Sequence, residues 1–167
     1  MAEPRIYLVR HALAEDRAAS GRDADRALTR EGRKTMKRAA RGMAGIGVRP
    51  GLILMSPLVR TRQTAEIIAE ELEAVDLELC DLLAPGSDET TLTTLVERRS
   101  AEGSVMLVGH EPDMGELLSF WLCGRPGAFR TRFRKGAVAC LLGGALPPQG
   151  RATLEWMMTA DQLGALA

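Results

Sequence analysis

The sequence predicts an α/β fold: one three-layer domain over residues 1–167, with a mostly parallel central sheet and helices on both faces. Two observations carry this. Residues 6–9 (Ile-Tyr-Leu-Val), 52–55 (Leu-Ile-Leu-Met) and 105–108 (Val-Met-Leu-Val) are short unbroken apolar runs, as expected of strands buried on both faces. Segments of helical character separate them, so strands alternate with helices.

The elements follow in order. The first run is a strand, and the polar stretch 12–28 is a loop long enough to suggest a functional role. Thr29 caps a helix running to about Met43, with Glu31 in its first turn, and Gly45, Gly47 and Pro50 end it. The second run is a strand closed by Ser56-Pro57. A helix then spans 59–73, with Ala65, Ile68, Ala69 and Leu72 on one face. Residues 77–79 suit a short edge strand. Asp88 caps a helix that includes Leu92, Leu95 and Val96. After the third run, Asp113 is expected to cap a helix through Leu122, closed by Gly124. Two further strands are expected near 137–142 and 152–158.

Composition narrows the class. The chain is 46% hydrophobic and 26% charged, which suits a folded domain and not a disordered or fibrous one. Lys+Arg and Asp+Glu are both 22, so no basic excess points to nucleic acid. The balance is uneven along the chain: residues 1–50 hold 12 basic and 6 acidic side chains, residues 51–100 hold 4 and 10. Cys80, Cys123 and Cys140 are odd in number and widely spaced. They read as reduced, buried thiols of a cytoplasmic protein. No signal peptide or membrane span is expected, since the longest apolar stretch, 137–146, is broken by Gly143 and Gly144.

In parallel sheets, ligands bind beyond the carboxyl ends of the strands. Arg10 and His11 follow the first apolar run, Ser56 and Arg60 the second, His110 and Glu111 the third. His11 and His110 are the only histidines, and both fall at this pole. An arginine at a helix start opposes the helix dipole, so Arg60 implies an anion nearby. Two arginines and a helix N-terminus suit phosphate. The histidines and Glu111 could in principle hold zinc, but the arginines disfavour a cation and no short ligand spacing occurs, so neither metal nor cofactor is expected. A P-loop and a dinucleotide fingerprint are absent, and no cysteine sits among basic residues as a cysteine phosphatase requires.

Four segments then carry a resemblance. Leu8-Val9-Arg10-His11-Ala12 is similar to the Arg-His signature of the histidine phosphatase superfamily. Asp25 to Arg33, Ser56 to Ala65, and Val108-Gly109-His110-Glu111-Pro112 resemble three further motifs of its small bacterial, SixA-type branch of phosphohistidine phosphatases, in the family's order. Trp156 resembles a tryptophan in the branch's last strand. The resemblance implies a phosphoglycerate mutase-like fold and a metal-independent phosphatase. It implies His11 as nucleophile, forming a phosphohistidine intermediate that water cleaves, with Arg10, Arg60 and His110 around the phosphoryl oxygens. The flanking arginines would keep His11 neutral. Arg22 and Arg26 either extend the phosphate pocket or pair with Asp23 and Asp25. Glu111 is either a general acid or a carboxylate at a helix start, with Glu15, Asp16, Asp88 and Glu89 as weaker alternatives.

Protonated imidazole, with a pKa of ~6.5, leaves phosphorus more readily than an alkoxide, so a phosphohistidine substrate needs little acid catalysis. The short chain also leaves little room for a cap over the site. Both points favour a histidine-phosphorylated protein domain as partner, with a small phosphate ester as the alternative. A retired phosphoprotein-binding module fits poorly with intact Arg10, His11, Arg60 and His110. A mutase is disfavoured by length, and a monomer is expected.

Overall fold

A computed structural model describes residues 4–73, 75–101, 103–142 and 152–167. Strand β1 (Arg5–Arg10) is followed by the loop to helix α1 (Arg30–Gly45), which contains a single 3₁₀ turn at Asp23–Asp25. Then come β2 (Leu52–Met55), α2 (Val59–Leu72), β3 (Asp76–Leu79), α3 (Glu89–Ser100), β4 (Val105–Gly109), α4 (Asp113–Cys123), β5 (Val138–Leu142), β6 (Thr153–Met158) and α5 (Ala160–Gly164). The sheet order is β3-β2-β4-β1-β5-β6. β1 to β4 are mutually parallel, whereas β5 runs antiparallel to both β1 and β6. Among the described strands β5 alone opposes the rest, so the sheet is mostly parallel, as the apolar runs imply.

The pleat divides the core in two. Tyr7 and Val9 of β1 face Met36, Ala39 and Met43 of α1, Ile68 of α2 and Leu163 of α5. Ile6 and Leu8 face the other way, toward Leu92 and Val96 of α3 and Leu117 and Trp121 of α4. Helices therefore cover both faces of the sheet, giving three layers. At the sheet edge β3 leaves Leu77 and Leu79 exposed.

The long loop after β1 is held against α1 and α2 by residues of the second and third motifs. Thr29 caps α1, its hydroxyl accepting from Gly32 N at 2.9 Å. Gly32 must lack a side chain, because a Cβ there would lie 2.1 Å from the Leu13 carbonyl oxygen. That carbonyl accepts Thr29 N at 3.0 Å. From α2, Gln63 accepts Leu28 N at 2.8 Å and Thr64 accepts Ala12 N at 3.1 Å.

Two expectations need correction. Asp113 does not cap α4: it is the first helical residue, and its carboxylate accepts Gly86 N and Ser87 N at 2.8 and 3.4 Å. Being already helical, it is turned toward the neighbouring loop. Glu111 instead accepts Gly115 N at 3.1 Å. Second, Cys123, in the last turn of α4, is exposed, while Cys80 and Cys140 are buried, and all three are free thiols. The 12–28 segment is a loop, as expected, with the 3₁₀ turn and an Ala14–Leu28 antiparallel bridge within it. Gly143 and Gly144 lie outside the described residues. Among the described residues no helix is long and apolar enough to cross a membrane.

Candidate active site

The sheet order explains why three distant motifs meet. β4 lies between β1 and β2, so the carboxyl ends of these parallel neighbours bring His11, His110 and Ser56 together. His11 N bonds to Gly109 O at 3.0 Å and Ser56 N to Val108 O at 3.1 Å, extending the ladders into the site. The imidazole centroids of His11 and His110 are 5.4 Å apart, with the rings tilted by 55°.

The proton on His11 is fixed by its neighbour. Nδ1 lies 2.7 Å from the Ala12 carbonyl oxygen. A carbonyl only accepts, so Nδ1 carries the hydrogen and the Nε2 lone pair remains available. His110 Nε2 lies 2.8 Å from Ser56 Oγ. Burial pushes the His11 pKa down to about 4, against the Ala12 hydrogen bond, which raises it, with Arg60, Arg10 and Lys135 adding to the fall. His110 is pushed to about 3, again mainly by burial, then by Arg60 and His11. Both rings are thus neutral at pH 7. The arginines contribute as expected, but desolvation is the larger cause.

Arg60, near the start of α2, is buried. The anion its position implies is present: Asp23 accepts Nη1 through its carbonyl at 2.9 Å and Nη2 through Oδ2 at 3.0 Å. Asp23 also takes Arg26 Nη1 at 2.8 Å, while Arg26 Nε donates to Glu15 O at 2.6 Å. Arg22 lies 3.7 Å from Asp25 and is mostly exposed. Arg22 and Arg26 are thus found in the pairing arrangement, and Arg26 is one carboxylate away from Arg60. Arg10 donates Nη1 to Phe133 O at 2.9 Å.

Among the described residues, four buried side-chain atoms lack any hydrogen-bond partner: Arg10 Nε, Arg60 Nε, His110 Nδ1 and Glu116 Oε2. Three of these belong to the site. Buried polar atoms are ordinarily paired, so this concentration marks a place where a ligand's acceptors fit. Glu111 is half-buried beside Arg10, and burial raises its carboxyl pKa above the ordinary range. Among the described residues no group of three or more His, Cys, Asp or Glu is placed to hold a metal.

Comparison with known proteins decides the family. The model of the histidine phosphatase superfamily (branch 1) matches residues 6–84. An uncharacterized protein of Picosynechococcus sp. is 34% identical over 142 residues, covering 84% of this chain and 86% of its own. The phosphohistidine phosphatase SixA of Escherichia coli is 29% identical over 162 residues, 95% of this chain and 96% of that one. The chain belongs to the histidine phosphatase superfamily. Its similarity places it in the SixA-type branch, and it is a phosphatase. A solved structure of the protein histidine phosphatase SixA with tungstate has a TM-score of 0.80 at 27% identity, covering 95% of this chain and 99% of that one. A phosphoglycerate mutase of Bacillus anthracis shares the fold, with a TM-score of 0.71 at 14% identity over 98% of this chain and 96% of its own.

The structure brings the expected residues His11, Arg10, Arg60, His110 and Glu111 to the same pole of the sheet, and it adds Asp23, which sequence pattern alone did not place in the site. The signal for Asp23 was weak. It lies just upstream of the second motif, and nothing local shows that it folds back onto Arg60, 37 residues on. Ser56, Gln63 and Thr64 were quoted within a motif without a role. The first holds His110, and the other two hold the loop.

Proposed function

We propose that this phosphatase removes the phosphoryl group from phosphohistidine on a phosphotransfer protein, with His11 as nucleophile. The observation that supports this most strongly is a buried, neutral His11 whose Nε2 is free, set beside buried donors that lack partners. Nε2 attacks phosphorus as the P–N bond to the substrate imidazole breaks, and the leaving nitrogen keeps the electron pair and takes a proton. Water then attacks the phosphoryl group on His11, releasing inorganic phosphate and restoring the imidazole. Arg10 and Arg60 stabilise the charge on the transferring oxygens. With Ser56 donating to His110 Nε2, a hydrogen on the unpartnered Nδ1 gives the site a neutral donor as well.

No metal takes part in these steps, because the arginines already supply the positive charge that a metal otherwise provides. A relative's structure with bound tungstate fits an oxyanion site of this kind. The free thiols accord with a cytoplasmic setting. A second reading, hydrolysis of small phosphate esters, draws on Glu111: burial raises its carboxyl pKa, the direction that suits a group protonating an alkoxide.

The test compares kcat/KM on a histidine-phosphorylated phosphotransfer domain with a panel of phosphate esters, each with and without EDTA. The phosphohistidine substrate is expected to win by at least ~10²-fold, the lower range of what general acid catalysis supplies to poor leaving groups. EDTA should change neither rate. A preference for esters, or activity lost to EDTA and restored by a divalent metal, would contradict this function.

A further inference from the structure

The connection from α4 to β5, residues 124–136, carries Arg125, Arg130, Arg132, Arg134 and Lys135 and no acidic residue. All five side chains are exposed. Among the described residues none of the five makes an ion pair or a side-chain hydrogen bond, whereas Arg5, Lys37 and Arg41 elsewhere each pair with a glutamate. Unpaired like charges on one short loop repel each other, so this density is a cost to the free protein unless a partner neutralises it.

The loop is nevertheless firmly held. Ser119 Oγ donates to Arg125 O at 2.8 Å and accepts Phe129 N at 2.9 Å. Phe133 is buried in the core of the α3–α4 face. Gly136 N bonds to the carbonyls of Arg10 and His11, both at 3.0 Å. The backbone that displays the cations is the same backbone that holds Arg10, through Phe133 O. A recess of ≈ 200 Å³ separates the loop's Phe129, Arg130 and Thr131 from Glu111 and Glu116 at the start of α4. Those two are the acidic groups facing the loop from its neighbour. The cationic loop therefore forms an ordered rim at the site, with its charges presented to solvent.

We infer that residues 124–136 are a docking surface for the acidic face of the phosphorylated protein, recognising aspartates and glutamates around the phosphohistidine. This rests on the protein-phosphohistidine reading given above. A protein face is favoured over nucleic acid because the chain's net charge is zero and its pI is about 6.7, without the overall basic excess of a nucleic-acid binder. Rim charges of this kind act mainly on encounter rate and partner choice, and salt screens them.

Two phosphohistidine peptides test this, one flanked by four glutamates and one by four glutamines, with p-nitrophenyl phosphate as a small control. At low ionic strength the wild type should cleave the acidic peptide about tenfold faster in kcat/KM, and the advantage should fade as salt rises toward a Debye length well under 10 Å. Arg130→Gln/Arg132→Gln/Arg134→Gln should erase the preference and leave the control rate unchanged. The corresponding triple lysine variant should restore it. Equal wild-type rates on both peptides would overturn the docking inference while leaving the phosphohistidine reading standing. Cleavage of the control but neither peptide would overturn both. A triple variant slowed equally on all three substrates would assign the loop to support of Arg10 instead. Single-stranded oligonucleotide binding tighter than acidic-peptide binding, lost in the triple glutamine variant, would identify the loop as a nucleic-acid site and overturn the inference.

Discussion

Residues 12–28 and residues 124–136 both border His11, and both carry several arginines, but they treat charge in opposite ways. The first supplies its own carboxylates: Asp23 engages Arg26 and Arg60, and Asp25 lies near Arg22. The second has no acid and leaves five cations in solvent. In the first loop charge builds the pocket, since Asp23 holds the guanidinium of Arg60. In the second loop charge has no structural partner among the described residues, and glycine, a buried phenylalanine and backbone hydrogen bonds fix the shape instead. Substitutions in the first loop should therefore affect every substrate alike. Those in the second should discriminate between substrates.

The largest effect expected short of removing His11 is that of Arg60→Ala. It deletes the buried donor proposed for the phosphoryl group and releases Asp23 from α2. Removing one such stabilising donor typically costs about 10²–10³-fold in rate. kcat/KM should fall by that order on protein and small substrates together. A loss confined to protein substrates would place Arg60 in docking and break the contrast between the loops.

A smaller and sharper test pairs Arg26→Ala with Arg132→Ala. Arg26 is tied to Glu15 O and Asp23, and losing such exposed contacts from a charged donor costs about 1 kcal/mol. The variant should melt at lower temperature and lose activity several-fold on all substrates. Arg132 is exposed and has no ion pair or side-chain hydrogen bond among the described residues, so its alanine variant should keep the wild-type melting temperature and its rate on p-nitrophenyl phosphate. A stability loss in Arg132→Ala would show that the second loop uses its charges structurally after all.

The contrast also shows why part of the site could be read in the sequence. His11, Arg10, Ser56 and His110 follow apolar runs, and in a mostly parallel sheet ligands sit beyond the carboxyl ends of the strands. Local pattern therefore located them. The three-layer fold was legible for the same reason: in β1, Tyr7 and Val9 alternate with Ile6 and Leu8, and helices cover both sides. Asp23 was not legible, because its role depends on a loop folding back onto α2, a long-range contact with no local periodicity. Asp113 misled because a helix-start aspartate reads as a cap, although its carboxylate serves residues 86 and 87. The weight of burial in setting the histidine pKa values also depends on three dimensions, whereas charged neighbours can be seen in one.

A weaker expected effect concerns pH. The folded pKa of His11 is about 4 and that of His110 about 3, both below the ordinary 6.5. Between those values the unfolded chain binds protons that the native state refuses, so stability rises with pH. The histidine contribution is fully present above about pH 6.5 and is lost as pH falls toward 4 and 3. Urea unfolding across this window should show the midpoint dropping with acid, and His11→Gln should reduce that slope. A wild-type midpoint that rises on acidification would mean the rings are protonated in the native state.

The central claim is that phosphorus passes through His11. Rapid-quench mixing of enzyme with a phosphohistidine protein, followed by intact mass and alkaline peptide mapping, tests it most directly. Within the first turnover the account predicts one acid-labile, alkali-stable phosphoryl group on the peptide containing His11, formed and lost at rates that match kcat. His11→Ala should show no such adduct and no turnover. Steady turnover with no adduct at His11 at any quench time, or full activity in His11→Ala, would contradict it.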